Sequence, residues 1–134
     1  MDIDAHTPIA IVSYVLKQLE RLHTTSLSKL FSYFADDYSQ CADGHELNYQ
    51  EFVQHIHALQ KTTTCLVVNI VAISGENNDV LTHHRVTATQ LNGTQSEIEF
   101  FAHFTVMNGK IIRCEELSRL LSGDPRDKDL GSRK

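Results

Sequence analysis

The segment "KIIRCEEL" ends in two adjacent acids followed by a leucine, and the acids are Glu115 and Glu116. The pattern is typical of a β-strand, whose successive side chains point to opposite faces, so one of the two carboxyls should point inward. The segment "DVLTHHRV" places His84 on the more apolar face of a second strand. An apolar environment raises the pKa of a carboxyl, and a nearby imidazole favours its charged form. Glu116 and His84 could therefore donate or abstract a proton.

The choice of Glu116 over Glu115 depends on the register of the last strand. We expect Cys114 and Glu116 to share the inner face with Ile112, although a single β-bulge would exchange the two acids. Structural roles remain open for both candidates. Glu116 could sit at a wet rim or pair with Arg119, and His84 could be a hydrogen-bonded core or rim residue.

Three helices are predicted ahead of the strands. "HTPIAIVSYVLKQLERL" has Thr7 as a cap and Pro8 at the first helical position, and "NYQEFVQHIHALQKT" begins with Asn48 three residues before Glu51. Between them, "TTSLSKLFSYFADDY" predicts a shorter helix with apolar positions at Leu27, Leu30, Phe31 and Phe34. "YSQCA" then predicts a short extended piece.

From Thr64 the hydrophobic period changes to two, and four strands are predicted. They are "TCLVVNIVAIS", "DVLTHHRVTATQ", "QSEIEFFAHFTVM" and "KIIRCEELSRLL", joined by "GENN", Asn92-Gly93 and Asn108-Gly109. This order indicates an α+β fold, with N-terminal helices packed on a strongly curved antiparallel sheet of four to six strands. Such a cone-shaped, cystatin-like roll encloses a space suited to a ligand.

Two surfaces follow from this arrangement. The predicted pocket lining consists of Tyr14, Phe34, Tyr38, Gln40, Phe52, Thr82, Phe100, Phe104, Ile112 and Cys114. On the opposite face, Leu81, Phe101 and Ile111 interrupt a polar surface. An exposed apolar patch with a polar rim is typical of an interface, so we expect a homodimer formed through the sheet.

Composition limits the classes of function. The 134 residues, 41% hydrophobic and 22% charged, suit one globular domain, which we place at residues 1–121. The polar tail, residues 122–134, is expected to be mobile or to lie along a partner. A net charge of −5 argues against nucleic-acid binding, and the sequence has no apolar run long enough for a membrane span. The N-terminus lacks the character of a signal peptide, so a cytoplasmic protein is expected.

The sequence predicts no metal site and no cofactor. Cys41, Cys65 and Cys114 form no CxxC motif and are expected to be buried free thiols. The pairs His55/His57 and His83/His84 have spacings that point their rings in different directions. The sequence also contains no GxGxxG, no phosphate loop and no GxSxG elbow.

The segments "LFSYFADDYSQCADG" and "FFAHFTVMNGKIIRCEEL" resemble the nuclear transport factor 2-like superfamily, and specifically its bacterial SnoaL-like branch of uncharacterised proteins. The "NGKI" turn at residues 108–111 stands where that branch has a "DGKI"-type turn, and the resemblance spans about residues 8–121. It implies an α+β cone, usually a homodimer, with a pocket between sheet and helices.

The superfamily includes ketosteroid isomerase, scytalone dehydratase, limonene epoxide hydrolase and polyketide cyclases, so the fold does not select one reaction. By the resemblance, Glu116 lies where the epoxide hydrolase has its last-strand catalytic aspartate, and His84 lies near its pocket arginine. Val86 replaces the partner aspartate, and Gln40 and Ala42 fall near the tyrosine and asparagine that hold the water. This incomplete set argues against epoxide hydrolysis. No match to the tyrosine and aspartate of the steroid isomerase is found.

Two functions remain. One is a protein that binds a small, largely apolar molecule, with or without isomerase-like or cyclase-like proton transfer by His84 and Glu116. The other is a non-catalytic association or scaffold module whose dimer surface is its function. The first predicts a well-formed pocket, and the second predicts a cavity that is small or filled by its own side chains.

Overall fold

The computed structural model of the protein describes residues 7–24 and 26–130. Its helices are α1 (Pro8–Gln18), α2 (Leu27–Phe31) and α3 (Tyr49–Thr62), with 3₁₀ turns at Leu19–Arg21 and Pro125–Asp129. Its strands are β1 (Phe34–Ala42), β2 (His45–Leu47), β3 (Thr63–Glu76), β4 (Asp79–Gln90), β5 (Gln95–Met107) and β6 (Lys110–Ser122). The α+β prediction is confirmed: helices pack on one curved sheet of six strands.

Local sequence signals explain both long helices. The Thr7 hydroxyl accepts a hydrogen bond from the Ala10 amide at the start of α1, where Pro8 follows the cap. At the start of α3, Asn48 and Glu51 form a reciprocal capping box. Both predicted helix starts are therefore confirmed.

The sheet order is β2-β1-β6-β5-β4-β3. Strands β3 to β6 form the predicted antiparallel meander, whereas β1 pairs in parallel with β6. In β4 and β5 the alternation is regular, and the predicted inner faces are confirmed as buried. These faces consist of Val80, Thr82, His84, Val86 and Ala88 in β4, and Ile98, Phe100, Ala102, Phe104 and Val106 in β5.

The second helix is shorter than predicted and Phe34 does not belong to it. Helix α2 ends at Phe31, and the carbonyl of Tyr33 already accepts a hydrogen bond from the Ile111 amide of β6 at 2.8 Å. Phe34 then pairs with Ile111 as the first residue of β1. A five-residue helix gains little from its own hydrogen bonds, so pairing with a distant strand decides this segment.

The start of β6 also differs from the expected register. Val106 of β5 pairs with Ile111 and Thr105 pairs with Arg113, so Ile112 is an extra, bulged residue. Ile111 is consequently fully buried instead of lying on the outer face, and Ile112 is only partly buried. The bulge precedes the two acids, and Cys114 is on the inner face as expected.

The described part of the C-terminal tail packs on the domain itself. Leu130 is buried in the core, and the buried carboxylate of Asp127 accepts a hydrogen bond from the Ser96 hydroxyl of β5. The tail was expected to be mobile or to lie along a partner, because its composition is polar and Leu130 alone gave no signal that it packs in the core. Residues 131–134 lie outside the described part.

The turn into this tail provides a test of its packing. Gly123 has φ of +114°, and a Cβ there would lie 2.7 Å from the Ser96 Cα. We expect Gly123→Ala to lower the free energy of unfolding by about 1–3 kcal/mol, through backbone strain and this clash. The matched control is Gly93→Ala, where φ is +87° but no atom lies within 4 Å. Urea denaturation should show a larger loss for Gly123→Ala, and equal losses would contradict the clash.

Candidate functional site

A cavity of about 100 Å³ lies between the helices and the inner face of the sheet. Among the residues predicted to line it, those that do are Phe34, Tyr38, Gln40, Phe52, Phe100, Phe104 and Cys114, together with His84 and Glu116. Helices α1 and α3 add aliphatic side chains, including Val15, Leu16, Ile56 and Leu59. The volume is close to the roughly 150 Å³ that holds a benzene molecule in an engineered core, and below the roughly 300 Å³ of ordinary ligand pockets.

Glu116 supplies a carboxyl to this apolar cavity. It pairs with Ala42 of β1 on one side and Ala102 of β5 on the other, and neither alanine is large enough to cover it. The Cys114 thiol lies 3.8 Å from the Glu116 Oε1 and donates a weak hydrogen bond to it. Burial, followed by the negative charge of Asp43, raises the pKa of Glu116 to about 8, while the thiol hydrogen bond opposes the shift. The carboxyl is therefore mostly protonated at neutral pH.

His84 is 5% exposed and lies against the ring of Phe100, at 5.1 Å between centroids and an angle of 10°. Its Nδ1 is 3.0 Å from the Thr82 hydroxyl oxygen. Burial, with a smaller contribution from the neighbouring His83, lowers the pKa of His84 to about 4. The imidazole is therefore neutral at pH 7, and its Nε2 is the ring nitrogen that remains for a ligand.

An aromatic cluster forms another wall of the cavity. The rings of Phe34, Tyr38 and Phe52 lie 4.6–4.8 Å apart in three mutual contacts. The Tyr38 hydroxyl donates a hydrogen bond to the Gln40 Oε1 at 2.8 Å. Burial raises the pKa values of both Tyr38 and Cys114 well above their ordinary values, so neither group is charged at pH 7.

These groups define what the site can do chemically. At neutral pH Glu116, His84, Tyr38 and Cys114 are all uncharged, and the remaining wall is mainly aliphatic and aromatic. A charged ligand would lose its hydration without gaining an opposite charge from these groups, whereas a neutral ligand would not. These four groups supply no charge to pair with a charged ligand, and they offer a carboxylic acid and a neutral imidazole for proton transfer.

Three residues predicted to line the pocket lie elsewhere. Tyr14 contacts Tyr33 on the helical surface at 5.1 Å between centroids. Thr82 is buried but acts through its contact with His84, and Ile112 is displaced by the β-bulge described above. None of the three lines the cavity.

The outer face of the sheet carries a separate set of groups. Leu81, Phe101 and Leu117 are each more than half exposed and line one groove. Beside it, the almost fully buried Glu99 accepts hydrogen bonds from Arg119 and His83, each at 2.7 Å. These bonds, that of Arg119 first, lower the pKa of Glu99 to about 2. Arg119 thus pairs with Glu99 and not with Glu116.

None of the helices in residues 7–24 and 26–130 is long and apolar enough to cross a membrane. Within the same ranges, no group of three or more His, Cys, Asp or Glu side chains is arranged to hold a metal ion.

Comparison with known proteins identifies the family. The model of the SnoaL-like domain matches residues 15–114, which is most of the chain. The chain belongs to this SnoaL-like family. An uncharacterized protein of Schizosaccharomyces pombe is 31% identical over 120 residues, covering 87% of this chain and 92% of the yeast protein. Because this relative is eukaryotic, the restriction to a bacterial branch is not supported.

Solved structures show the same SnoaL-like fold. AclR, a proposed hydroxylase from Streptomyces galilaeus, superimposes with a TM-score of 0.72 at 15% identity, covering 96% of this chain and 89% of AclR. An LEH-like epoxide hydrolase of M. tuberculosis gives a TM-score of 0.69 at 16% identity, covering 93% and 88% of the two chains. At these identities the similarity establishes the fold and not the reaction.

The SnoaL-like cavity contains one polar residue that the sequence reasoning considered only as a metal ligand. His55 is 5% exposed and lines the cavity from α3. Its signal was its position between Phe52 and Leu59, in the same apolar stripe as Ile56, because residues three and four apart share a helix face. Asp43, whose charge acts on Glu116, carried no comparable signal, since Asp-Gly is an ordinary turn sequence.

Proposed function

We propose that this protein binds a small, neutral, largely apolar molecule in its cavity and exchanges a proton with it through Glu116. The observation that carries this proposal is a carboxyl at the polar end of an apolar cavity, whose pKa is raised to about 8, so that its ionised fraction is a stronger base than an ordinary carboxylate. A structural carboxyl would ordinarily be paired with a cation, as Glu99 is with Arg119 in the same sheet.

A carbonyl compound is the ligand class that uses both polar groups. The ionised fraction of Glu116 would take a proton from the carbon next to the carbonyl, and the C–H electron pair would move into the carbonyl group. In the tautomer with hydrogen on Nε2, His84 would donate a hydrogen bond to the developing oxyanion, while Thr82 donates to Nδ1. Return of the proton to the same or a conjugated carbon completes an exchange or an isomerisation without any co-reactant.

Hydrogen exchange of cyclohexanone in D₂O tests this proposal directly. We expect the wild type to accelerate replacement of the hydrogens next to the carbonyl, with a rate that rises through about pH 8 as Glu116 ionises. Glu116→Gln should abolish this acceleration, because an amide cannot accept the proton. Proton NMR measures the exchange, and shifts of cavity methyl groups measure binding.

The matched control is Glu115→Gln, which removes the adjacent carboxylate from the opposite, exposed side of β6. It should retain the exchange activity. Cyclohexanecarboxylate should not shift the cavity methyl groups at pH 7, since the cavity offers this anion no charged partner among the four groups above. Equal exchange by wild type and Glu116→Gln would remove Glu116 from the proposed chemistry.

Association through the outer face is the second candidate function. It is favoured by the exposed groove of Leu81, Phe101 and Leu117, and by a cavity smaller than ordinary ligand pockets. Native mass spectrometry of freshly purified protein, followed by denaturing release, compares the two candidates. A released small molecule would support the cavity function, and a ligand-free dimer would favour association.

A further inference from the structure

The turn between β1 and β2 is attached to β6 at Glu116 and at Ser118. Parallel pairing of β1 with β6 extends to Ala42 and Glu116. Beyond it, the Asp43 amide donates to the Glu116 carbonyl at 3.0 Å. The Asp43 carboxylate accepts hydrogen bonds from the Ser118 amide, at 2.7 Å, and from the Ser118 hydroxyl. The side chain of Asp43 therefore extends the hydrogen bonding between β1 and β6 by one step beyond the end of β1.

We propose that Asp43 is a positioning residue for Glu116. It fixes the β6 backbone around Glu116 through its hydrogen bonds to Glu116 and Ser118, and it places a negative charge near the Glu116 carboxyl. This inference deepens the proposed function and rests on it for its biological meaning. Asp43 is exposed and does not line the cavity, so it acts through Glu116 and not on a ligand.

The electrostatic part follows from what surrounds Glu116. The groups that share the cavity are the Cys114 thiol on the same strand, Tyr38 on β1, His84 on β4 and His55 on α3. Of the charged groups nearby, Asp43 raises the pKa of Glu116, and burial makes the larger contribution. Arg113 on β6 is engaged by Glu46 and Glu115 on the outer side. Asp43 is thus the charge whose removal should change the ionisation of Glu116.

The backbone of Asp43 makes a clean substitution available. Its φ is +51° and Gly44 follows with φ of +85°, which is a turn that asparagine tolerates. Asp43→Asn removes the charge while its amide oxygen can still accept from the Ser118 amide. Ser118→Ala removes the hydroxyl contact without changing charge, and Asp37→Asn removes an exposed charge elsewhere on β1.

The experiment is a pH titration of the ¹³C-labelled side-chain carboxyl of Glu116, assigned by its loss in Glu116→Gln. Relative to wild type, Asp43→Asn should lower the titration midpoint by roughly half a unit or more, whereas Ser118→Ala and Asp37→Asn should leave it in place. Raising the salt concentration to 1 M, where the Debye length is about 3 Å, should lower the wild-type midpoint and not that of Asp43→Asn.

An unchanged midpoint in Asp43→Asn would overturn the inference, as would an equal decrease in Ser118→Ala, which would indicate an effect of geometry alone. These failures are distinguishable from failure of the proposed function. If the wild-type carboxyl titrates near 4.5, Glu116 lacks the raised pKa on which the proposed function depends, and the exchange rate should not rise through pH 8. If it titrates near 8 in both wild type and Asp43→Asn, the proposed function keeps a carboxyl of raised pKa and only the role of Asp43 is lost.

Discussion

Replacing Glu116 with glutamine should make the protein more stable than wild type at alkaline pH, and the difference should disappear in acid. The folded-state pKa of about 8 lies above the ordinary value of 4.5, so the folded protein binds a proton that the unfolded chain has lost. Wild-type stability from this group is therefore fully present below pH 4.5 and is lost as pH rises to 8. Above pH 8, the free energy of unfolding of Glu116→Gln should exceed that of the wild type by about 3–5 kcal/mol, because each unit of pKa shift corresponds to 1.36 kcal/mol. Water that reaches the ionised carboxylate would make this difference smaller.

Urea denaturation at pH 4.5, 6.5 and 8.5 measures this difference. His84 has the opposite dependence, because its pKa of about 4 lies below the ordinary 6.5, so its stabilising contribution is lost as pH falls from 6.5 to 4. His84 is present in both proteins, and its contribution cancels in the comparison. Glu115→Gln, on the exposed side, should show no such rise. A constant difference between wild type and Glu116→Gln across the pH range would contradict the raised pKa.

Truncation of two consecutive phenylalanines should have very different effects on folding. Phe100 is 5% exposed, lines the cavity and lies against His84, whereas Phe101 is 51% exposed and lies against His83. We expect Phe100→Ala to lower the free energy of unfolding by about 3–5 kcal/mol, the range for a buried aromatic side chain. Phe101→Ala should cost below about 1 kcal/mol in the monomer, since most of its apolar surface is already hydrated.

Sedimentation velocity gives the pair a second measurement. If the outer groove forms a dimer, Phe101→Ala should weaken it at protein concentrations where the wild type self-associates, while Phe100→Ala should not. Chemical denaturation at low protein concentration measures the stability of the monomer alone. Comparable losses of monomer stability in both variants would contradict the assignment of the two rings to opposite faces of β5.

Regular alternation is what made most of the fold predictable. In β5 every second residue from Ile98 to Val106 is apolar, and in β4 the inner face is the more apolar of the two. Asn92-Gly93 and Asn108-Gly109 mark turns that only a few residues adopt readily. The same reasoning failed at Phe34 and Ile112. Phe34 fits a helical spacing, and its true partner, Ile111, is distant in sequence. The bulge at Ile112 leaves no signal, because an extra isoleucine beside Ile111 looks like continued alternation in a mixed strand.

The candidate site was predictable to the extent that it lies on regular strands. The alternation of side chains along a strand was enough to assign His84 and Glu116 to the inner face of the sheet, and in the structure both line one cavity. Tyr14 could not be excluded from the predicted pocket lining, because the rotation of a helix about its own axis depends on tertiary packing and not on the spacing of its residues. The effect of Asp43 on Glu116 depends on pairing between β1 and β6, which no local pattern encodes.

The parallel pairing of β1 with β6 joins distant parts of the chain at the polar end of the cavity. Gln40 and Ala42 come from the first third of the sequence, and their partners Cys114 and Glu116 come from the last fifth. Contacts of such high sequence separation carry a large loop-closure entropy and form slowly compared with the local hairpins of the meander. During synthesis β6 emerges after every other strand, so the acid and the wall beside it come together only when the domain is nearly complete. The chemistry proposed for this protein therefore needs both early and late parts of the sequence, and an N-terminal fragment that stops before β6 lacks Glu116 and Cys114.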